Sequence, residues 1–439
     1  MHPNFSRRLS NKKRRRVDDE KPDKISDLPD ALLLLILSLI PTVDVVRTCI
    51  LSKRWTSLWE HVPKLDYSYK NDKKLSDQFV HRFMISRNKQ CLLESVQLKV
   101  ESDSDVMNIP VWIKRAVELG LRGLELDFYS EKENIILPRN IYACKTLEVL
   151  TLKYCVHVDI PNSPVCFKSL KILNLRLVHF KDNDSARRLF SSCPNLEKLD
   201  IIRYVDNVVN FTIEVPSLKS LTIHDCSDGG GRREYVINAP SLNFLSIRGM
   251  NDYEFSIENM PELREAKIMD VIDINTEKIL LPLASSVKRL SLALSPLETR
   301  YADGIVFSKL VFLELSTSKT EWWNLLMVLL LNSPQLQVLK LTRDESSKSN
   351  TEHMTTSQLY KPINVPPCLL SCLQRFEWER YNGLHEEERQ IAMYILTNAK
   401  HLKEAKFSTK NSDLEEKFEM LKVLAREPRA SPSCHFFFE

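Results

Sequence analysis

A short apolar pattern recurs along the middle of this chain, in which an apolar residue is followed by apolar residues three and five positions later. Its eleven instances are Leu93-Val96-Leu98, Leu121-Leu124-Leu126, Leu147-Leu150-Leu152, Leu170-Leu173-Leu175, Leu196-Leu199-Ile201, Leu218-Leu221-Ile223, Leu242-Leu245-Ile247, Leu263-Ala266-Ile268, Val287-Leu290-Leu292, Leu310-Leu313-Leu315 and Leu336-Leu339-Leu341. Because alternate residues of a short strand point to the same side, each triad places apolar side chains on one face. One unit cannot bury that face alone, so the units are predicted to stack into a curved solenoid.

The spacing of these triads resembles that of leucine-rich repeats, whose units are 20 to 29 residues long. From Leu147 onward, neighbouring triads lie 21 to 26 residues apart. Ala266 and Val287 stand where most units have leucine, so an irregular ladder is predicted over residues 90–342. Cys155 and Cys226 occupy a corner position where this repeat family often carries Asn or Cys. Both thiols are therefore interpreted as structural.

The net charge of +4 is distributed unevenly along the chain. Seven basic residues precede Asp18, the first acid; without them 55 basic residues face 58 acidic ones. The body of the protein therefore has no charge bias that would favour nucleic acid or an acidic membrane, and neither partner is expected. The tail, residues 1–22, holds a cluster that is either a nuclear import signal or a solvated segment. Its members are Lys12, Lys13, Arg14, Arg15 and Arg16.

The cysteines and the apolar runs indicate the cellular compartment. Ten cysteines are scattered through the sequence without a C-x-x-C pair, which is typical of reduced thiols. The longest apolar run, Ala31 to Ile40, has about half of the ~20 residues that a membrane-spanning helix needs. Acidic residues between the basic tail and this run also make it a poor signal peptide. The sequence therefore predicts a protein of the nucleus, the cytoplasm or both.

Three short helices are predicted within residues 23–62. Pro29 suits the start of a first helix that Pro41 ends, Thr42 starts a second, and a third follows Ser52. The apolar stripes predicted for the second and third helices are Val46-Cys49-Ile50 and Trp55-Leu58-Trp59. The first helix is apolar almost all round, which implies burial on more than one side. Such a small unit is expected to be marginal unless a partner covers its apolar surface, or it simply caps the following domain.

Several strings in this segment occur in a fixed order: Leu28-Pro29-Asp30, Ile36-Leu37-Ser38, Cys49-Ile50-Leu51-Ser52-Lys53-Arg54-Trp55 and Leu58-Trp59. Together they closely resemble the F-box. The resemblance implies docking onto the Skp-type adaptor of an SCF ubiquitin ligase and, through it, onto a cullin. It assigns Ser52, Lys53 and Arg54 to the shaping of a turn. The residues that it places in the adaptor contact are Leu28, Pro29, Ile36, Leu51 and Trp55.

The C-terminal hundred residues continue the strand pattern with longer helices. Residues 343–361 are polar and are interpreted as an exposed loop. Helices are predicted from Glu386 to Asn398 and from Leu414 to Arg426, and a last strand from Cys434 to Phe438. The resulting alternation of strands and helices would continue the ladder and close its end.

Residues 362–439 also carry a set of motifs: Cys368-Leu369-Leu370-Ser371, Leu373, Phe376-Glu377-Trp378, Tyr381, Gly383, Tyr394-Ile395-Leu396, Asn398-Ala399 and Pro428-Arg429-Ala430-Ser431. These motifs resemble the FBD domain, which is found with F-boxes and leucine-rich repeats, mainly in plant proteins. The resemblance supplies no role for this segment. The predicted fold class is α/β: an N-terminal three-helix F-box, an irregular leucine-rich-repeat solenoid and a C-terminal αβ FBD cap.

No motif for bond chemistry is present in the sequence. The eight glycines form neither a dinucleotide-binding fingerprint nor a phosphate-binding loop, and no nucleophile or zinc-ligand spacing occurs. No catalytic residue, metal ligand or cofactor is therefore predicted. The expected function is that of a non-catalytic receptor subunit that holds an unidentified protein target for ubiquitination. Outward-facing residues in the middle of the strands are the candidates for target contact, namely Arg176, His224, Arg248, Glu314 and Lys340.

Other interpretations remain open at the level of sequence. The repeats could form a protein-interaction scaffold whose F-box does not engage a ligase. The basic tail could bind nucleic acid by itself. A hydrolase is the most remote alternative, because no pairing of nucleophile and base is recognisable.

Overall fold

The computed structural model describes most of the chain from Ile25 onward. The described residues are 25, 27–68, 80, 83–85, 87, 90–101, 107–130, 134–162, 165–204, 208–225, 233–249, 253–258, 260–271, 276–294, 304–317, 322–343, 364–383, 385–409, 414–426 and 428–439. The basic cluster at residues 12–16, Cys226 and all but the first residue of the predicted loop at 343–361 lie outside them. The chain divides into two compact units, residues 1–62 and residues 63–439.

The first unit contains the three predicted helices. They are α1 (Asp30–Leu37), α2 (Thr42–Arg47) and α3 (Trp55–Leu58), with 3-10 turns at Thr48–Ile50 and Trp59–His61. Helix α1 begins directly after Pro29, whose φ of −63° is already that of a helix. Six buried residues from the three helices and the segment after them form a shared core: Leu33, Leu37, Val45, Trp55, Leu58 and Val62.

The predicted apolar stripes of this unit have different outcomes. The stripe of the third helix is confirmed, because Trp55 and Leu58 are buried and Trp59 packs against the same core. The stripe of the second helix is wrong, since Val45 faces the core and Ile50 is 89% exposed. Helix α2 ends at Arg47, and the tighter 3-10 turn after it rotates the following residues away from α-helical spacing.

The second unit is built on parallel strands. In chain order they are β1 (Lys64–Ser68), β2 (Ser95–Val100), β3 (Gly123–Phe128), β4 (Ile135–Ile136), β5 (Val149–Tyr154), β6 (Val156–Val158), β7 (Ile172–Arg176), β8 (His179–Phe180), β9 (Lys198–Arg203), β10 (Asn210–Glu214), β11 (Ser220–Asp225), β12 (Arg233–Asn238), β13 (Phe244–Arg248), β14 (Tyr253–Ile257), β15 (Glu265–Met269), β16 (Arg289–Ala293), β17 (Phe312–Ser316), β18 (Val338–Thr342), β19 (Arg375–Glu379), β20 (Glu404–Ser408) and β21 (His435–Phe438). Within the described residues, fifteen of them form one sheet in the order β1-β2-β3-β5-β7-β9-β11-β13-β15-β16-β17-β18-β19-β20-β21. This sheet is the predicted ladder.

The register of the sheet aligns the predicted triads. Leu221 of β11 pairs with Leu199 of β9 on one side and with Leu245 of β13 on the other. All eleven triads lie at the predicted positions, and each of their residues is at most 1% exposed. Ala266 occupies the same row as these leucines, opposite Leu290. Stacked identical positions therefore form continuous apolar rows, which is how each unit covers the edge of its neighbour.

The segments between ladder strands are helices or additional short strands. The helices are α4 (Ile109–Glu118), α5 (Asn183–Ser191), α6 (Thr276–Ala284), α7 (Trp322–Leu331), α8 (Pro367–Ser371), α9 (Glu386–Asn398) and α10 (Leu414–Arg426). Two small parallel sheets, β4-β6-β8 and β10-β12-β14, occur between ladder strands and were not predicted. Such short strands form because the neighbouring units offer pairing partners, and their own sequences carry little signal.

A left-handed backbone recurs at the ends of ladder strands. It occurs at Tyr154, Leu177, Asp270 and Arg380, with φ between 54° and 63°, and at Gly249, with φ 70°. Each of these residues stands four positions after the first inward residue of its strand, as Gly249 follows Leu245. The same turn is therefore repeated in units of different sequence, although four of its five residues carry the steric cost of a side chain at positive φ.

The C-terminal segment extends the ladder by three strands. Helices α9 and α10 have the predicted bounds, and the last strand begins at His435, one residue later than predicted. The inward rings of Phe376, Phe407 and Phe436 contact one another across β19, β20 and β21, with centroids 5.4 and 5.3 Å apart. Phe376 and Phe436 lie in one inward row on either side of Ala405, and Trp378, Phe407 and Phe438 form the next row. Aromatic rings thus replace leucines of the earlier units in both rows.

Candidate interaction surfaces

The first unit exposes as many large apolar side chains as it buries. Among its described residues, those between 46% and 89% exposed are Ile25, Leu32, Leu35, Ile36, Leu39, Ile50 and Leu51. Helix α1 illustrates the cause: it buries Leu33 and Leu37 in the core and packs Leu34 against it, while Leu32, Leu35 and Ile36 remain exposed. So many exposed apolar side chains on so small a unit are typical of a protein–protein contact.

The five residues predicted to contact the adaptor do not share one environment. Pro29, Ile36 and Leu51 are exposed, and Leu28 is half-buried against the core of the unit. Trp55 is 6% exposed and belongs to that core. The indole has a role inside the unit, because α3 has only two residues that face inward. Its contact with the adaptor stays a prediction.

Arg54 connects the two ends of the F-box-like sequence. Its Nε donates to Oδ1 of Asp30 at 2.8 Å, and its guanidinium also donates to the carbonyl oxygen of Leu28. These hydrogen bonds therefore join the N-terminal end of α1 to the turn before α3. Arg54 was expected to shape that turn, and the structure gives it this additional contact 24 residues away.

The five residues proposed for target contact all lie on the outward face of the large sheet but in two groups. Glu314 and Lys340 are paired mid-strand residues on β17 and β18, as expected. Arg176, His224 and Arg248 correct the expectation, because they lie at the carboxyl ends of β7, β11 and β13. The two groups are three strands apart in the sheet order, so they do not form one site.

Most of these charged side chains form ion pairs with other residues of the chain. Lys340 Nζ lies 3.2 Å from Oε1 of Glu314 and 2.9 Å from Oε1 of Glu379, and Arg248 Nε lies 3.2 Å from Oδ2 of Asp270. Arg176 is exposed and has no ion pair within the described part of the chain. Of the five candidates, Arg176 therefore has the charge most available to a partner.

His224 is half-buried beside Arg248. Burial lowers the pKa of its imidazole, and the positive charge of Arg248 lowers it further. The environment therefore favours the neutral imidazole, in which one ring nitrogen donates a hydrogen bond and the other accepts one.

A buried polar cluster lies beneath the ends of β9 and β11 and was missed in the sequence. Tyr235 Oη donates to Oδ2 of Asp225 at 3.0 Å and accepts from Nη1 of Arg203 at 2.7 Å. Nη2 of Arg203 donates to the carbonyl oxygen of Val208 at 2.7 Å, and its guanidinium lies 4.5 Å from the ring centroid of Phe211. Strand alternation indicates that both charged residues point inward, since each stands four positions after an inward leucine, but it does not indicate that they pair.

Glu388 forms a second buried polar contact, at the start of α9. Its Oε2 accepts the N–H of Asn382 at 2.8 Å, and its Oε1 lies 3.5 Å from Nη1 of Arg343, the residue that follows β18. Burial raises the pKa of this carboxyl to about 7, although the Asn382 N–H and the Arg343 charge act in the opposite direction. The contact ties the last unit before the C-terminal segment to helix α9 within that segment.

No group of three or more potential ligands is arranged for a metal ion in the described ranges. Cys155 has the predicted structural role, because its Sγ donates to the carbonyl oxygen of Ser130 at 3.0 Å and accepts the N–H of the same residue at 3.4 Å. None of the described helices has the length and apolar character that crossing a bilayer requires.

Comparison with known proteins places three family models on the chain. They are the F-box domain at residues 25–67, the LRR repeats of FBD-associated F-box protein At5g56370 at residues 109–269, and FBD at residues 361–407. F-box/FBD/LRR-repeat protein At3g52680 of Arabidopsis thaliana is 44% identical over 431 residues, which span 95% of this chain and 93% of the relative. F-box/FBD/LRR-repeat protein At2g04230 of the same plant is 43% identical over 444 residues, spanning 97% and 98%.

Proposed function

Because the chain belongs to the F-box/FBD/LRR-repeat family, we propose that it is the substrate-recognition subunit of an SCF ubiquitin ligase. In this proposal residues 23–62 bind a Skp-type adaptor and, through it, a cullin. The repeats at 90–342 and the FBD domain at 362–439 hold a protein target. The chain itself is a non-catalytic receptor that promotes ubiquitination and proteasomal degradation.

The apolar surface of the first unit is the observation that carries this proposal. Ile36 and Leu51 are 46% and 62% exposed although the unit has a complete core beneath them. Burying apolar surface releases about 25 cal/mol per Å², so a partner that covers these side chains gains affinity from them directly. A helical face of this kind fits another apolar polypeptide surface.

The contribution of the receptor to the reaction is positional. A target held on the repeats reacts at the effective concentration set by the assembly, and no group of this chain needs to touch the bond that forms. Arg176, His224, Arg248, Glu314 and Lys340 remain candidates for target contact. Arg176 is favoured among them, because an exposed cation without an ion pair can meet a carboxylate on the target. The ligase would act in the nucleus, the cytoplasm or both, with residues 12–16 as an import signal.

Co-purification of the full-length chain with a Skp-type adaptor tests the docking step. We expect Leu51→Asp and Ile36→Asp to weaken adaptor binding at least tenfold, since each places a charge in an apolar contact. Ile136→Asp is the matched control, because Ile136 is 62% exposed on the repeats, the same fraction as Leu51. Absence of binding by the wild-type chain would instead favour a scaffold that does not engage a ligase.

The receptor step needs a separate measurement. Proteins that accumulate on the chain when the proteasome is blocked can be identified by mass spectrometry, and their ubiquitination should depend on Leu51. Binding partners that are retained by the Leu51→Asp variant but no longer ubiquitinated are the expected result. Targets that are ubiquitinated equally with wild type and variant would contradict the proposal.

A further inference from the structure

Strand β21 is the last strand of the large sheet. His435 donates its N–H to Lys403, and Glu439 donates its N–H to Phe407, so alternate residues of this segment bond to the side of β20. In a parallel pair the intervening residues turn their N–H and C=O groups to the other side. The main-chain groups of Phe436 and Phe438 therefore point away from β20, where the described chain has no further strand in the sheet order.

The strand β21 lacks the features that usually discourage an edge strand from pairing with another chain. Edge strands in native proteins usually carry charges, proline or a bulge that discourages pairing with another chain. The strand at the opposite end of the sheet, β1, follows that rule, with Lys64 and Asp66 paired at 3.1 Å. β21 instead has three successive phenylalanines, and the middle one, Phe437, is 48% exposed on the outward face.

The residues of this edge are complementary to themselves. If two copies of the segment pair antiparallel about Phe437, then Phe436 of each copy lies opposite Phe438 of the other, and His435 lies opposite Glu439. The residues with outward main-chain groups, Phe436 and Phe438, are then the ones that exchange hydrogen bonds across the pair. In every other antiparallel register His435 no longer lies opposite Glu439, and in most of them one of these two residues lies opposite a phenylalanine.

We propose that β21 pairs antiparallel with β21 of a second copy of this chain, with Phe437 on the twofold axis. The contact gives four main-chain hydrogen bonds, a Phe437–Phe437 pair on the outward face and two pairings of His435 with Glu439. The Glu439 carboxylate lies 2.9 Å from Nζ of Lys406 on β20, so in the dimer it would be shared between this lysine and His435 of the second copy. A twofold contact of this kind is self-complementary and closes at two copies.

The inward aromatic rings next to this edge fit the same arrangement. The contacts from Phe376 to Phe407 and from Phe407 to Phe436 end at β21, where Arg429 lies 4.6 Å from the centroid of the Phe436 ring. In the dimer these inward rings continue into those of the second copy. Phe436 and Phe438 would then be covered on the side where the ladder otherwise ends. The consequence is a receptor with two sets of repeats, whose binding to a multivalent target gains from avidity. This inference does not depend on adaptor docking.

Sedimentation velocity of the full-length chain over a range of concentrations tests the dimer. We expect the mass to rise from the 51.0 kDa of one chain to twice that value as concentration increases. Phe437→Lys should keep the protein at the single-chain mass at concentrations where wild type is dimeric. Phe418→Lys, at a 62% exposed phenylalanine of α10, is the matched control and should dimerise like wild type. A wild-type chain that stays at 51.0 kDa throughout, or a dimer that survives Phe437→Lys, overturns the proposal.

A cross-link distinguishes this pairing from any other contact between copies. Residues directly opposite each other at a non-hydrogen-bonded position of an antiparallel pair have Cα atoms about 4.5 Å apart, which a disulfide can span. Phe437→Cys should therefore form a reducible covalent dimer under mild oxidation. Phe418→Cys, tested at the same concentration, should not. Failure of Phe437→Cys to cross-link in a sample that sediments as a dimer would place the contact elsewhere and refute the β21 pairing.

Discussion

Arg203 and Asp225 are paired residues of β9 and β11, and their side chains form an ion pair, 3.6 Å from Nη1 to Oδ2, with 3% and 0% exposure. Both residues stand four positions after the first inward residue of their strands. In several other units this position is a residue with left-handed backbone or a buried apolar residue such as Phe128. Tyr235 lies between them and exchanges hydrogen bonds with both. Two neighbouring units are thus joined by a buried ion pair on the inward side of the sheet, next to the apolar contacts of their leucines.

Arg203→Met tests the energetic consequence of this pair. Removing one partner leaves the Asp225 carboxylate buried, and we expect a loss of about 3–5 kcal/mol in the free energy of unfolding, measured by chemical denaturation. The double variant Arg203→Met/Asp225→Leu should recover most of that loss, because the buried charge is then absent as well. Arg176→Met, at an exposed position, is the control and should change stability by less than about 0.5 kcal/mol. Equal effects at Arg203 and Arg176 would contradict the assignment.

Gly249→Ala tests the repeated turn at the ends of the strands. A Cβ at Gly249 would lie 2.7 Å from the carbonyl oxygen of Asp225, at a φ of 70° that disfavours any side chain. We expect a loss of more than about 1 kcal/mol in unfolding free energy, since both the backbone strain and the close contact oppose alanine. Gly304→Ala separates the two causes, because Gly304 has φ 98° but nothing within 4 Å of the position that an alanine methyl group would take. The loss at Gly249 should exceed that at Gly304.

Glu388 makes the stability of the protein depend on pH. Its pKa in the folded chain is raised to about 7 from the ordinary 4.5, so the folded state holds a proton that the unfolded state releases. The stability that this proton provides is complete below pH 4.5 and is lost as pH rises through 7, by roughly 3 kcal/mol. Glu388→Gln removes this dependence. The variant should therefore gain stability relative to wild type between pH 5 and pH 8 in urea unfolding, whereas the exposed Glu415→Gln should run parallel to wild type.

Arg54→Ala tests the link between the two ends of the first unit. Without the hydrogen bonds from Arg54 to Asp30 and Leu28, the N-terminal end of α1 is no longer bonded to the turn before α3. We expect faster amide hydrogen exchange in residues 30–34 and weaker adaptor binding, because the apolar face is less well ordered before docking. Lys53→Ala, at the adjacent exposed residue, is the control. Unchanged exchange in the Arg54 variant would show that the core alone fixes α1.

The sequence was most informative where local pattern and tertiary structure coincide. The triads around residues such as Leu199 and Leu221 could be read directly, because strand alternation and unit stacking impose one period on the chain. The bounds of α9 and α10 followed from their apolar periodicity and flanking polar residues. In the first unit the same logic found three helices but misjudged Ile50, since a change from α to 3-10 geometry is not encoded in the apolar pattern.

The features that the sequence did not reveal depend on neighbouring units. The ion pair of Arg203 and Asp225 needs two residues 22 positions apart, and each alone resembles an ordinary polar residue at the end of a strand. Trp55 is part of the F-box-like motif, but the sequence does not indicate whether its indole packs inward or lies on the surface. The packed core shows that it packs inward. The pairing partners of β10 and β12 likewise belong to adjacent units, so no single unit predicts them.

Parallel stacking with one register has a consequence for how proteins of this architecture can diverge. Leu245 of β13 meets the matching residues of β11 and β15 and needs nothing from more distant strands. A whole unit can therefore be gained or lost between two such strands while both ends of the ladder keep their own contacts. The length and the chemical character of the outward face can change by whole units, leaving the F-box helices and the final β21 edge intact.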